Sequence, residues 1–331
     1  MLYLTTSSED SEVSVFSICN AISVLQCDKP LDYQELAELV GEYAYRGIEK
    51  SQLCKAGWAP PVSLVPSQFV YETDRFQLIR WLLVEKILPK VAIDNETNAR
   101  VRKIEEDTGA PVPKKQRQQL QDEAITYILS VLPESFRKED STYLLIDKHT
   151  HRLYIMTTSG TRCDDVCAYL RKTIARLPAQ PLLVEGQVGG VLAQWVMDQT
   201  TLPEGFSITG DAVLKSLIDD SRITCKNEEL DSAKIQAHLK GDDAKWPVSL
   251  VLNWNKLGSF TIACSEPQDP CFVIKSIKFN SDIDIGYDGD DPVANFDAEF
   301  VLCSALIVQL IDLLTGAMSQ PKTPDEECSH G

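Results

Sequence analysis

Runs of alternating apolar residues, amphipathic stretches between them, and one long charged segment broken by glycine and proline predict an α+β fold. Antiparallel sheets with packed helices carry a projecting helical hairpin. Glu12 to Ile18 alternates as a strand would. After the breaker Pro30, residues Leu31, Leu36, Leu39, Val40 and Tyr43 recur at helical spacing, predicting a helix over Leu31 to Tyr45. Gln68 to Val84 reads as two short strands, the second ending in the apolar run Trp81 to Val84. The period then changes. Lys86 to Glu106 and Lys114 to Leu132 read as two helices, and Gly109-Ala110-Pro111-Val112-Pro113 forces the break between them.

Strands resume at Tyr143 to Ile146 and Leu153 to Met156, joined by the turn Asp147 to Arg152. Asp164 to Leu177 is amphipathic and stops at Pro178. Helices follow near Val191 to Asp198, Ala212 to Asp219 and Ser232 to Leu239, with strands at Phe206 to Ile208 and Ile223 to Cys225. Val248 to Trp254, Ser259 to Cys264 and Phe272 to Phe279 are the last strands, and Asn295 to Leu314 is a long apolar helix. This order divides the chain into a central α/β region (1–85 and 139–185), the hairpin (86–138), a second α/β region (186–318) and a disordered tail (319–331) rich in Pro, Glu and Ser.

The chain has 331 residues, 44% of them hydrophobic and 24% charged, which suits a globular protein with a substantial core. No apolar run reaches the roughly 18 to 20 residues that cross a bilayer. Met1 to Asp10 lacks the basic start and apolar centre of a signal peptide, so the expected location is cytoplasmic, with the ten cysteines reduced.

Charge is unevenly placed. Between Lys86 and Lys138 ten Lys and Arg face eight Asp and Glu, a balance of +2; the chain as a whole is −17, so the rest carries −19. Such a field repels nucleic acid from most of the surface and admits it at one place. On the composition of the segment alone, a solvated helical face of mixed charge is the favoured reading.

Enzymatic chemistry finds little support. No phosphate-cradling loop occurs: Gly186-Gln187-Val188-Gly189-Gly190 lacks the Lys and hydroxyl that grip phosphate and magnesium. His149 and His151 with Cys163 and Cys167 are the best metal candidate, but no thiol knuckle accompanies them; turn histidines and helix-packed cysteines are the simpler reading. In Asp282 to Asp291, a calcium loop begun at Asp284 places Gly286 and Asn295 where carboxylates are needed, so an acidic surface loop is expected. The same carboxylates as a nuclease metal site lack a Lys or His partner. Four histidines and no nucleophile motif leave no catalytic constellation, and no cofactor is expected.

Particular wordings recur in order: Lys55-Ala56-Gly57-Trp58-Ala59-Pro60-Pro61, Glu85-Lys86-Ile87-Leu88-Pro89, Leu132-Pro133-Glu134-Ser135-Phe136, Leu170-Arg171-Lys172, Leu177-Pro178, Gly205-Phe206, Leu214-Lys215-Ser216-Leu217, and Lys275 to Phe279. In this order and at these separations the chain, over roughly residues 54 to 316, resembles the RdgC family of bacterial recombination-associated proteins. The resemblance implies a non-enzymatic, sequence-indifferent binder of double-stranded DNA, associated with the nucleoid. It also implies a homodimer whose arms close into a positively lined ring that restrains the RecA recombinase. The hairpin would be the projecting tip of each arm, and Phe136, set between Ser135 and Arg137, would lie at the contact between arms. Lys86, Arg100, Arg102, Lys103, Lys114, Lys115, Arg117 and Lys226 are the expected phosphate contacts. Two departures weaken this expectation: Glu134 replaces a basic residue, and Asn227-Glu228 stands where the family has a Lys-Gln pair associated with DNA. A metal-dependent DNA nuclease, or an interaction protein of this fold with weakened DNA binding, are the alternative functions.

Overall fold

The computed structural model describes residues 14–319 apart from 241, 242, 282, 285 and 288. In chain order the elements are α1 (Val15–Ile18), β1 (Ile22–Cys27), α2 (Tyr33–Glu42), β2 (Cys54–Ala59), β3 (Tyr71–Glu72), β4 (Phe76–Lys86), α3 (Lys90–Thr108) and α4 (Lys114–Val131). There follow β5 (Arg137–Asp147), β6 (Arg152–Ile155), α5 (Gly160–Ile174), β7 (Ala179–Pro181), α6 (Val188–Met197), β8 (Phe206–Ser216) and β9 (Arg222–Cys225). The chain ends with α7 (Ala233–His238), β10 (Lys245–Trp254), β11 (Gly258–Ala263), β12 (Val273–Phe279) and α8 (Pro292–Met318).

One twelve-stranded sheet runs through both halves in the order β2-β4-β5-β6-β1-β12-β11-β10-β8-β9, with β3 beside β4 and β7 beside β1. Its strand pairs are antiparallel, so the sheet's two faces can be followed residue by residue. Ala212, Leu250, Ile262, Ile274 and Ile22 stand side by side across five strands, all buried in the larger core beneath α6 and α8. Each such aliphatic side chain contributes about 1.5–3 kcal/mol by leaving water. The opposite face is covered only in its first half, where Ile79, Leu144 and Ile155 meet Leu36 and Val40 of α2 and Val166 and Leu170 of α5. Trp58 donates its indole N–H to Thr173 Oγ1 of α5 at 2.8 Å, tying the β2 edge to that layer.

Gly57 of β2 has a physical reason to be glycine. A Cβ there would come within 2.4 Å of the Tyr45 Cα, because the 43–45 segment crosses directly over it.

Several sequence expectations are corrected. Val15–Ile18 is a helical turn, not a strand. Ala212 to Ser216 continues β8, not a helix, because β10 and β9 hydrogen-bond it on both sides. Lys86 ends β4, and α3 begins four residues later at Lys90. By length and composition α8 is apolar enough to cross a membrane, contrary to the sequence expectation; ten of its residues, from Phe296 to Met318, are buried within this protein. Asp282 and Asp288 of the acidic loop, and the tail from 320, lie outside the described residues.

Candidate nucleic-acid interface

The hairpin grows from the adjacent ends of β4 and β5, whose eleven-residue ladder runs from Phe76 opposite Asp147 to Lys86 opposite Arg137. Its helices of 19 and 18 residues extend about 28 Å at 1.5 Å per residue. They touch along a narrow seam: Ile93, Thr97 and Val101 on α3 face Leu120, Ala124 and Leu129 on α4. The distal halves of both helices are otherwise mostly polar, which suits a projecting arm, while Val91, Tyr127 and Val131 stay exposed near the root. Gly109 closes α3 in the left-handed region (φ 65), donating to Glu105 O. Glu105 Oε1 accepts from Val112 N at 3.1 Å and so fixes the tip loop.

The expected phosphate contacts separate into distinct environments. Lys86 donates to the Glu49 and Lys50 carbonyls at 2.8 and 2.6 Å, so it anchors a loop at the hairpin root. Arg100 bridges Glu96 and Glu123, both at 2.9 Å, and lies over the Tyr127 ring; its charge is spent within the hairpin. Arg102, Lys103, Lys114 and Lys115 are exposed, with no ion pair among the described residues. Arg117 is also exposed and bonds only the neutral Asn98 amide oxygen, at 2.7 Å. These five lie within about 10 Å of the tip along the helix axes, in the company of Glu105, Glu106 and Asp107. Lys226 is exposed beyond β9, far along the sheet from the hairpin.

Lys114, Lys115 and Arg117 occupy the first turn of α4, which holds no acidic residue, and its N-cap Pro113 offers no side-chain acceptor. The helix dipole disfavours cations there by about 0.3–1 kcal/mol each. Free N–H groups and three cations together make a strongly anion-attracting end. A conflict between local stability and charge of this kind is expected where a site serves an external partner.

An apolar patch lies at the hairpin root. Phe136 is 44% exposed, and its carbonyl accepts from Ile87 N at 2.9 Å; Lys86 N bonds Leu53 O next to it. Val91, 71% exposed, begins α3, while Tyr127 and Val131 end α4. Six of the eleven exposed large hydrophobic residues among those described are these: Leu53, Ile87, Val91, Tyr127, Val131 and Phe136. Sequence reasoning singled out Phe136 but missed its company, since Leu53 reaches the patch from a distant loop.

His149 is exposed, while His151 stacks on Tyr33, whose hydroxyl lies 2.8 Å from Nδ1. Burial pushes the Tyr33 hydroxyl up to about 12. Cys167 is packed in the second core. The same turn is held by buried Asp147, which takes two bonds from Arg75 (2.9 and 2.7 Å), one from His149 N and one from Thr150 Oγ1. Among the described residues no three His, Cys, Asp or Glu side chains are grouped as a metal would need. Asn227 takes the left-handed φ of 50, which Asn tolerates better than most residues, and its N–H donates to Asp211 Oδ1.

Fold and tip together define an α+β protein that offers a cation-tipped helical arm above an apolar root. The family model described as "Putative exonuclease, RdgC" matches residues 19–320. A protein of Psychromonas ingrahamii named recombination-associated protein RdgC is 29% identical over 306 residues, 89% of this chain and 96% of its own length. The protein of that name from Yersinia enterocolitica is 28% identical over 298 residues, covering 86% of this chain and 93% of its own. The chain belongs to the RdgC family.

Proposed function

We propose that this protein binds double-stranded DNA without sequence preference and without turnover. In this reading two copies close into a ring about the duplex and limit RecA-dependent recombination at the nucleoid. The observation that carries the reading is the hairpin tip, where five exposed cations, without carboxylate partners among the described residues, gather about the α3–α4 turn in a protein of net charge −17. Such groups contact phosphate, not base edges, so affinity comes from counterion release and is indifferent to sequence. The Leu53–Ile87–Val91–Phe136 surface supports a second copy as the partner at the root, since exposed aromatic and aliphatic clusters of this kind mark association sites.

An exonuclease is the second reading, favoured by the wording of the family description. Incubating end-labelled linear duplex with the protein and magnesium or manganese separates the two. Intact DNA with retarded mobility, equally in EDTA, supports the binding reading; shortening that co-purifies with the protein and stops on substituting Asp282 and Asp284 supports the nuclease.

A further inference from the structure

Among the described residues, the second half of the sheet has one face without a helical cover. Helices α2 and α5 end over β1, and beyond it the face opposite the main core mixes aliphatic residues (Val213, Val251, Ala263 and Val273) with polar ones, namely Ser259 and Thr261 of β11, Asn253 of β10 and Thr224 of β9. Lys275 sits opposite Thr261 and Lys278 opposite Ser259, so both lysines share this face. In a regular strand residues three apart point to opposite sides. The register shift between Ser259 and Thr261, with Ser276 at φ 55, brings the two to one side. Neither lysine has an ion pair among the described residues. The neighbouring β8 carboxylate, Asp211, is engaged by the Asn227 N–H.

We propose that this uncovered face is a second phosphate-contacting surface for duplex nucleic acid, with Lys275 and Lys278 as its principal cations. The proposal rests on the DNA-binding reading above and adds a site that lies across β6 and β1 from the hairpin strands. Two cations separated by about 7 Å along the sheet, beside the Ser259 hydroxyl and the exposed Asn253 amide, match the sugar–phosphate backbone by charge and by chemistry. Among the described residues no aromatic ring is paired on this face, which argues for a duplex over a single strand, whose binding relies on base stacking. A positive φ at a serine is the kind of local strain that persists where it places functional groups.

The test is fluorescence anisotropy of a labelled duplex in EDTA over a salt series, for the native protein, K275Q/K278Q, K275E/K278E and K114E/K115E. The glutamine pair removes the charge at half-buried Lys275 and exposed Lys278 with a side chain only slightly shorter, and its thermal melt is compared with the native protein. Expected is an affinity loss of roughly tenfold or more for the glutamine pair and a salt slope shallower by about 1.8, the share of two phosphate contacts. The hairpin pair weakens binding separately. Native affinity and slope in both sheet-face variants, while K114E/K115E binds weakly, would overturn this surface alone. A native protein that binds no duplex at low salt overturns the DNA-binding reading itself, and this surface with it.

Discussion

Reversing Lys114 and Lys115 to Glu probes the tip most sharply. Both are exposed in the first turn of α4 and neither supports the α3–α4 seam. Removing cations from a helix N-terminus, and placing carboxylates there, should if anything stabilise α4. A loss of DNA binding therefore cannot be put down to unfolding. If the five tip cations each neutralise one phosphate, they contribute about −4.5 to the slope of the logarithm of affinity against the logarithm of salt; without two of them they contribute about −2.7. Between 50 and 200 mM salt the tip's share of the affinity loss is then roughly 500-fold in the native protein and roughly 40-fold in the variant. At low salt the variant should bind about 10- to 100-fold more weakly, for every duplex sequence alike. Anisotropy titrations at four or more salt concentrations read both quantities. Unchanged affinity and unchanged slope would refute the assignment and return the hairpin to a solvated face.

Phe136→Ser should weaken self-association by about 1–3 kcal/mol, roughly 5- to 150-fold in the dimer dissociation constant; sedimentation velocity checks it, and a native protein that is monomeric at micromolar concentration contradicts the interface. Asp147→Ala leaves His149 N–H, Thr150 Oγ1 and the partly exposed Arg75 guanidinium without their acceptor and should cost about 1–3 kcal/mol in urea unfolding. Burial acts to raise the Asp147 carboxyl, but Arg75, Thr150 and His149 N–H together hold it below its ordinary value. A carboxyl lowered in the folded state stabilises fully above the unfolded value, about 3.9, and loses that contribution as pH falls through the folded one. The acid limb of a stability–pH curve should thus be shallower below about pH 4 in Asp147→Asn than in the native protein. Gly57→Ala should be strongly destabilising through its clash with the Tyr45 backbone, and a melting temperature equal to the native one would show that the 43–45 crossing is not as close as described.

The parts of the fold written in local chemistry were legible in the chain. Gly109 and the prolines at 111 and 113 announce the hairpin break, and the turn from Asp147 to Arg152 announces the β5–β6 pair. What depended on distant partners was not. β1 reads as no strong pattern because both its faces are buried, Ile22 and Val24 toward one core and Leu25 and Cys27 toward the other. Ala212 to Leu217 has spacing that fits helix or strand, and only pairing with β9 and β10 decides it. The site followed the same division. The cations of the hairpin are evident from composition, but their separation into spent (Lys86, Arg100) and free (Arg102, Lys103, Lys114, Lys115) is a matter of tertiary contacts. Lys275 and Lys278 share a face only because of the irregularity at Ser276, which no alternation rule anticipates.

The central claim is that the protein holds duplex DNA through phosphate contacts and leaves it chemically intact. One titration tests it most directly: an end-labelled duplex with increasing protein, read by anisotropy and then by denaturing gel, in parallel with EDTA and with magnesium plus manganese. Saturable binding of equal strength in both buffers, a steep salt dependence and full-length strands are the predicted result. Absence of binding at low salt and micromolar protein, or strand shortening that requires the metal, would contradict it.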